Sequence, residues 1–383
     1  MSSRAAKEQG AAADFIPLVD LRAQYERHRA EFDAAVQGVV RDASFIGGAE
    51  HEAFAREFAV FCGGGAVAPV GNGTDALMLA ILEVLGAGDG GGEIITASHT
   101  FVATAEAIVN AGYRPVFADI EPDTFVVSPA AVEKAITRNT RALLPVHLYG
   151  QMADMRAIRA VADRHGLAII EDAAQAHGAI RDGIRPGDLS AAATFSFYPG
   201  KNLGAWGDGG AVFSKDAALI ARIVKRANHG RADKYLHDMR GVNSRLDTLQ
   251  AALLRAKLRH LSAWNDARRR AAAWYDSLLG AEPRVARPVV AQGAEHVFHL
   301  YVVQVEVRER VRERMSARGI GVGVHYPVPV HEQPAFDDLG YKADDLPVTS
   351  HAAKCVLSLP IYPEITRAQV ERIAAALIEA VRA

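Results

Sequence analysis

Between residues 66 and 214, short runs rich in β-forming residues recur, and most are separated by stretches with helical periodicity. The runs cover 66–70, 93–97, 115–120, 142–148, 167–171, 193–198 and 210–214. After the first of them, Ala76, Leu77, Ala80, Ile81, Val84 and Leu85 fall on one face of a helix over 75–85. Strands alternating with helices build a sheet that helices cover on both sides, so the chain is expected to fold as an α/β protein.

The alternation stops near Asp216, and helical patterns dominate to about Leu279, including a long stretch from Leu246 through Trp274. Beyond it come a strand-like run over 297–305, a charged helix over 307–318, an extended run over 321–326 and a closing helix over 367–381. This order predicts a flexible tail at 1–14, a large domain over 15–260 that starts with an entry segment and a helix, and a smaller α/β domain over 261–383. Pro327, Pro329 and Pro334 mark a turn-rich loop.

Composition narrows the function classes. The chain of 383 residues is half hydrophobic with a formal net charge of -2, an ordinary globular balance without a footprint for nucleic acid or an anionic membrane. Its two cysteines, Cys62 and Cys355, lie far apart, which argues against a disulfide framework and fits a reducing compartment, so a cytoplasmic location is expected. Residues 1–14 lack the apolar stretch of a secretory signal, and no run of about 18 apolar residues follows. No metal-ligand spacing stands out.

Three segments carry chemistry. Gly71-Asn72-Gly73-Thr74-Asp75 lies between a strand and an amphipathic helix, where backbone N–H groups and the helix N-terminus face an anion such as phosphate. It has neither the dinucleotide fingerprint nor the lysine of a P-loop. Glu171-Asp172-Ala173-Ala174-Gln175 puts acids and an amide at the carboxyl end of a buried-type strand, where α/β sheets build ligand sites. Phe195-Ser196-Phe197-Tyr198-Pro199-Gly200-Lys201 ends another strand in a turn with one lysine among apolar and small residues. Each has a bland reading: a structural turn, a capping acid, a solvated amine. A phosphate cradle, an acid and a lysine together suit pyridoxal phosphate, whose ring nitrogen needs a carboxylate and whose aldehyde needs an amine.

These segments, together with Gly207-Asp208-Gly209-Gly210 and Gly241-Val242-Asn243-Ser244-Arg245-Leu246-Asp247, resemble the DegT/DnrJ/EryC1/StrS sugar aminotransferases from Ile16 to the C-terminus. The resemblance implies the type I, aspartate-aminotransferase-like fold: a seven-stranded, mainly parallel sheet with helices on both faces plus a smaller C-terminal α/β domain. It also implies a homodimer with active sites shared between subunits.

By motif, Lys201 resembles the lysine that holds pyridoxal 5'-phosphate as a Schiff base, Asp172 the partner of its ring nitrogen, and Gln175 a neighbour of its 3-hydroxyl. Gly73, Thr74 and Ser196 resemble phosphate ligands, Asn243 a phosphate ligand from the other subunit, and Phe101 the aromatic stacked on the ring. Arg245, His325 and Tyr326 resemble substrate-side residues. The family implies ping-pong transfer of an amino group from L-glutamate to a nucleotide-linked keto sugar, in amino-sugar biosynthesis. Lys201 separates this chain from the dehydrating branch, which carries histidine there. The stretch from Lys201 to Gly210 resembles members that act on 3-keto sugars, linked to dTDP or UDP. Amination at carbon 4, a cyclitol ketone as substrate, and a non-catalytic regulator that binds the cofactor remain the alternatives. The chain departs from the family form at Gly86–Glu93, a glycine-rich surface loop one residue longer than usual.

Overall fold

The computed structural model describes residues 15–383. The expected tail over 1–14 lies outside the described residues. Helices α1 (Leu21–Asp42) and α2 (Ala49–Phe61) precede the first strand, β1 (Ala66–Val70). Alternation then runs through α3 (Gly73–Leu85), β2 (Glu93–Ala97), α4 (Ala103–Asn110), β3 (Arg114–Ala118), α5 (Pro129–Ala135), β4 (Thr140–Leu144), α6 (Met155–His165), β5 (Ala168–Asp172), β6 (Ala192–Ser196) and β7 (Gly210–Ser214). The seven strands form one sheet in the order β1-β7-β6-β5-β4-β2-β3. Pairing is antiparallel only where β7 meets β1 and β6 and parallel elsewhere, so the sheet is mainly parallel, as expected.

Burial on both faces follows from the period of two in each strand. Ala68, Val70, Ile94, Ala142, Leu144, Ile170, Ala192 and Val212 join α3 and the later helix α7 (Ala217–Ala227) in one cluster. Their neighbours Val67, Ile95, Leu143, Ile169, Ala193, Phe195 and Phe213 join α2 and α6 in the other. Each fully buried large side chain, such as Phe213, contributes roughly 1.5–3 kcal/mol by leaving water.

The helical stretch predicted over 246–274 is two helices, α8 (Thr248–Leu258) and α9 (Leu261–Leu279), because the chain turns at Arg259 and His260. Residues 228–247, inside the region read as mainly helical, form a loop held by an Asn228–Asn243 bridge. The run predicted over 297–305 is a strand only in β8 (Tyr301–Gln304), since Phe298 takes a φ of 42° and breaks the extended path. After α10 (Arg308–Ala317), the segment over 321–326 makes a single bridge, Gly323 to Ser358. The structure adds α11 (Pro347–Cys355) and β9 (Val356–Leu359), which pairs with β8, before the closing helix α12 (Arg367–Arg382). A separate apolar cluster forms here from Tyr275, Tyr301, Leu357, Ile373 and Leu377, and Ile16 joins it through a bridge to Ile320. Cys62 and Cys355 are both free and buried. No helix among the described residues is long and apolar enough to cross a membrane.

Candidate active site

The parallel strands β1, β5 and β6 end along one edge of the sheet, and a cavity of about 610 Å³ opens there. Helix α3 starts at this edge because Asn72 caps it: its Oδ1 accepts from the Asp75 amide at 2.8 Å. The amides of Gly73 and Thr74, in the first turn, have no intrahelical acceptor and face an anion site at the positive end of the helix. Gly73 is required by proximity, since a Cβ there would stand 2.7 Å from the Ser196 Cβ. Gly210 is required for the same reason, its absent Cβ falling 2.3 Å from the Asn72 carbonyl oxygen. Two glycines thus let the helix start close on β6 and β7, and Ser196 lines the same cavity as Thr74.

Asp172 closes β5. Its Oδ2 accepts from the Thr104 hydroxyl at 2.8 Å and its Oδ1 from the Ala174 amide at 3.1 Å. The preceding residue, Glu171, faces away from the cavity in a fully buried pair, 2.6 Å from His147 Nε2. Because the Ala153 amide donates to His147 Nδ1 at 3.2 Å, the ring proton sits on Nε2 and is donated to the carboxylate. The other Glu171 oxygen accepts from the Gly187 amide at 2.9 Å.

Lys201 follows β6 on a turn closed by its own amide donating to the Tyr198 carbonyl at 2.8 Å. The next residue anchors the turn: Asn202 donates to Asn265 Oδ1 at 2.9 Å and to the Val297 carbonyl at 3.0 Å. Its amide nitrogen therefore faces two acceptors and its oxygen faces His299 Nδ1 at 3.2 Å, which makes that ring nitrogen the donor. Burial lowers the Lys201 amine from the usual lysine range to about 8, with the Asp172 charge opposing the shift. Burial, and secondarily the same ammonium, depresses the surrounding imidazoles: His177 to about 3, His325 to about 4, and His299 well below the ordinary histidine value. At neutral pH the lysine thus sits among uncharged rings.

Gln175 is held in place: its Oε1 accepts from the Tyr149 amide at 2.7 Å, and its Nε2 donates to Tyr326 Oη at 3.3 Å. Tyr149 donates its hydroxyl to the His325 carbonyl, and the His325 ring meets Ser358 Oγ at 2.8 Å. Phe101 is 54% exposed, which rules out core packing, and its ring stands 5.8 Å from that of Tyr326 at the cavity wall.

Of the residues picked out by the sequence, Gly73, Thr74, Phe101, Asp172, Gln175, Ser196, Lys201, His325 and Tyr326 all line this one cavity. Asn243 and Arg245 do not. Asn243 is exposed on the 228–247 loop, and Arg245 donates to Asn228 Oδ1 at 3.0 Å. Sequence reasoning passed over Thr104, Tyr149, Asn202 and His299. Thr104 sits one turn from Phe101, and Asn202 adjoins the lysine, so position could have flagged both. Tyr149 and His299 are brought in only by tertiary contact.

The residues fit pyridoxal phosphate. An anion cradle shaped by Gly73, a hydroxyl pair, a hydrogen-bonded carboxylate, a buried amine of lowered basicity and an open aromatic face meet in a cavity large enough for the ring.

The model of the DegT/DnrJ/EryC1/StrS aminotransferase family matches residues 26–378. The dTDP-3-amino-3,4,6-trideoxy-alpha-D-glucose transaminase of Streptomyces venezuelae is 47% identical over 382 residues, covering 100% of this chain and 98% of that one. The erythromycin biosynthesis sensory transduction protein EryC1 of Saccharopolyspora erythraea is 46% identical, over 94% of this chain and 98% of the relative. Among solved structures, S. venezuelae DesV in complex with a ketimine intermediate superposes with a TM-score of 0.94 at 46% identity, covering 96% of this chain and 99% of that one.

Proposed function

The chain belongs to the DegT/DnrJ/EryC1/StrS aminotransferase family, and on that premise we propose that it moves an amino group from L-glutamate to carbon 3 of a nucleotide-linked keto sugar. It is a pyridoxal-phosphate-dependent aminotransferase. The observation that carries the reading is the meeting of Lys201, Asp172, Gln175 and the Gly73–Ser196 cradle in one cavity. The carbon-3 assignment rests on the stretch from Lys201 to Gly210 and on the S. venezuelae transaminase, whose name specifies a 3-amino sugar.

Bound pyridoxal phosphate supplies an electron sink for the carbon that loses its proton. The chain supplies the rest. Gly73, Thr74 and Ser196 hold the phosphate, and Phe101 covers the ring. Asp172, fixed by Thr104, holds a proton on the ring nitrogen. Gln175, fixed by Tyr149, orients the 3-hydroxyl. Lys201 would anchor the cofactor, and its amine, freed when the amino donor displaces it, would take the proton from the donor's α-carbon and pass it to the cofactor. In the second half-reaction it would take a proton from the cofactor and deliver it to the sugar carbon. Its lowered basicity keeps a useful share of free amine near neutral pH.

A homodimer in which Asn243 reaches the phosphate of the other subunit, with Arg245, His325 and Tyr326 toward the sugar, completes the proposal. The two buried free thiols support a cytoplasmic location.

The test has two stages. The purified chain should absorb near roughly 410–430 nm and shift to about 330 nm when glutamate is added. The glutamate-treated protein should then regain the first band with a dTDP- or UDP-linked 3-keto sugar and not with a 4-keto sugar or an inosose. Absence of the first band would sink the cofactor assignment; recovery with the 4-keto sugar or the inosose alone would move the substrate.

A further inference from the structure

Away from the cavity, three side chains able to ligate a metal meet between α1 and the start of α9. His28 and Glu31 lie one turn apart on α1, His260 precedes α9, and one ligand atom from each lies within 4.8 Å of the other two. His260 Nε2 is 2.7 Å from Glu31 Oε2, and the two imidazole rings approach to 4.3 Å between centroids. Helix α1 departs from helical geometry at His28, with φ -119° and ψ 17°, where the ring comes alongside His260. The Nε2 of His28 is buried and has no hydrogen-bond partner among the described residues. A buried ring nitrogen without a partner is costly, and the local bend of the helix places the His28 ring beside a second imidazole and a carboxylate.

We propose that His28, Glu31 and His260 form a binding site for Zn²⁺ or a similar divalent transition metal. Two imidazoles and one carboxylate make the donor set that suits such an ion, with the fourth position left to water. Arg259 engages one Glu31 oxygen, Oε1, at 3.4 Å, while Oε2 and His260 Nε2 share a hydrogen bond that the metal would replace, binding both atoms as the shared proton leaves to solvent. Phe32 and Trp264 pack on the His28 ring, at 5.4 and 5.5 Å between centroids, and form an apolar wall behind it. Mg²⁺ and Ca²⁺ are excluded by the nitrogen donors, since both ions take oxygen shells.

The ion would clasp α1 to α9 behind the turn that carries Lys201. Phe32 contacts Trp206 at 6.1 Å, and Lys257, whose Nζ lies over both rings, donates to the Gly204 carbonyl at 2.7 Å. Loading the site should therefore stabilise the fold without entering the reaction.

The cofactor-loaded protein, stripped with a chelator, would be titrated with ZnCl₂ by calorimetry and followed by thermal unfolding, with MgCl₂ as the control. The expected result is uptake of one Zn²⁺ per chain, a raised Tm, and no response to Mg²⁺. Glu31→Gln is nearly isosteric and outside the catalytic cavity, so it should keep transaminase activity while binding Zn²⁺ at least about tenfold more weakly. His28→Ala and His260→Ala should do the same, and His237→Ala on the exposed loop should not. No one-to-one uptake, or uptake undiminished in Glu31→Gln and His28→Ala, would overturn the site.

Discussion

Glu171 and Asp172 are neighbours on β5, yet their carboxylates end in opposite environments: Asp172 lines the cavity beside Thr104, and Glu171 is sealed against His147 beneath the sheet. The alternation of side chains along a strand decides which acid meets the cofactor. Asp172→Asn should keep the size of the side chain and its contact with Thr104 while removing the charge. Cofactor should remain bound, seen by absorbance, and kcat/KM should fall on the order of a hundredfold or more. Full activity would show that the wrong acid has been assigned.

Glu171→Gln should behave in the opposite manner. Both Glu171 oxygens accept, one from His147 Nε2–H and one from the Gly187 amide, so the glutamine NH2 must face one of these donors unpaired, a loss of about 1–3 kcal/mol. Urea unfolding should register that loss, while the spectrum of bound cofactor in the folded protein stays unchanged.

Lys201 carries a pH prediction. Burial brings its amine down to about 8 in the cofactor-free chain, and only the neutral amine attacks an aldehyde. The rate at which the stripped protein recaptures pyridoxal phosphate should therefore rise with pH through about 8 and level off above it. A rate still climbing steeply at pH 10 would mean that the lysine keeps its ordinary basicity. Lys201→Ala should abolish the 410–430 nm band, which is roughly where the lysine-bound cofactor absorbs.

The sheet was readable because β1 to β7 are short apolar runs, the first five cut off by helices and the last two by loops, and each predicted run overlaps an observed strand. Boundaries slid where the chain keeps an extended path beyond its ladder, as at Val146, which bridges Asp172 after β4 has ended. The break at Arg259 and His260 was hidden because apolar spacing continues across it, and β9 because four residues directly after a helix look like more helix. In the site, the residues brought together came from motifs at strand ends. The residues that fix them, such as Tyr149 holding Gln175 and His299 meeting Asn202, are set by contacts between distant segments that no local pattern records.

Gly73 offers a steric test. A Cβ 2.7 Å from the Ser196 Cβ forces either α3 or β6 to move, and overpacking of this kind costs about 1–3 kcal/mol. Gly73→Ala should weaken pyridoxal phosphate binding by roughly tenfold, which corresponds to about 1.4 kcal/mol, as measured by titration of the stripped protein. Gly91→Ala, on the exposed loop before β2 where the Asp89 carboxylate at 3.5 Å is the near neighbour, should leave that affinity unchanged.

Asn243 and Arg245 lie outside the cavity of their own chain, so their proposed roles require a second copy. In a two-fold dimer each active site would combine Lys201 from one subunit with Asn243 from the other. Asn243→Asp should repel the phosphate and leave a weakly active homodimer, and Lys201→Ala an inactive one. When the two are unfolded together and refolded, half of the dimers should be mixed. One site in each mixed dimer would then join an intact Lys201 to an intact Asn243, giving on the order of a quarter of wild-type activity. If Asn243 served its own subunit, every intact lysine would sit in a site with the substituted residue, and mixing would restore nothing.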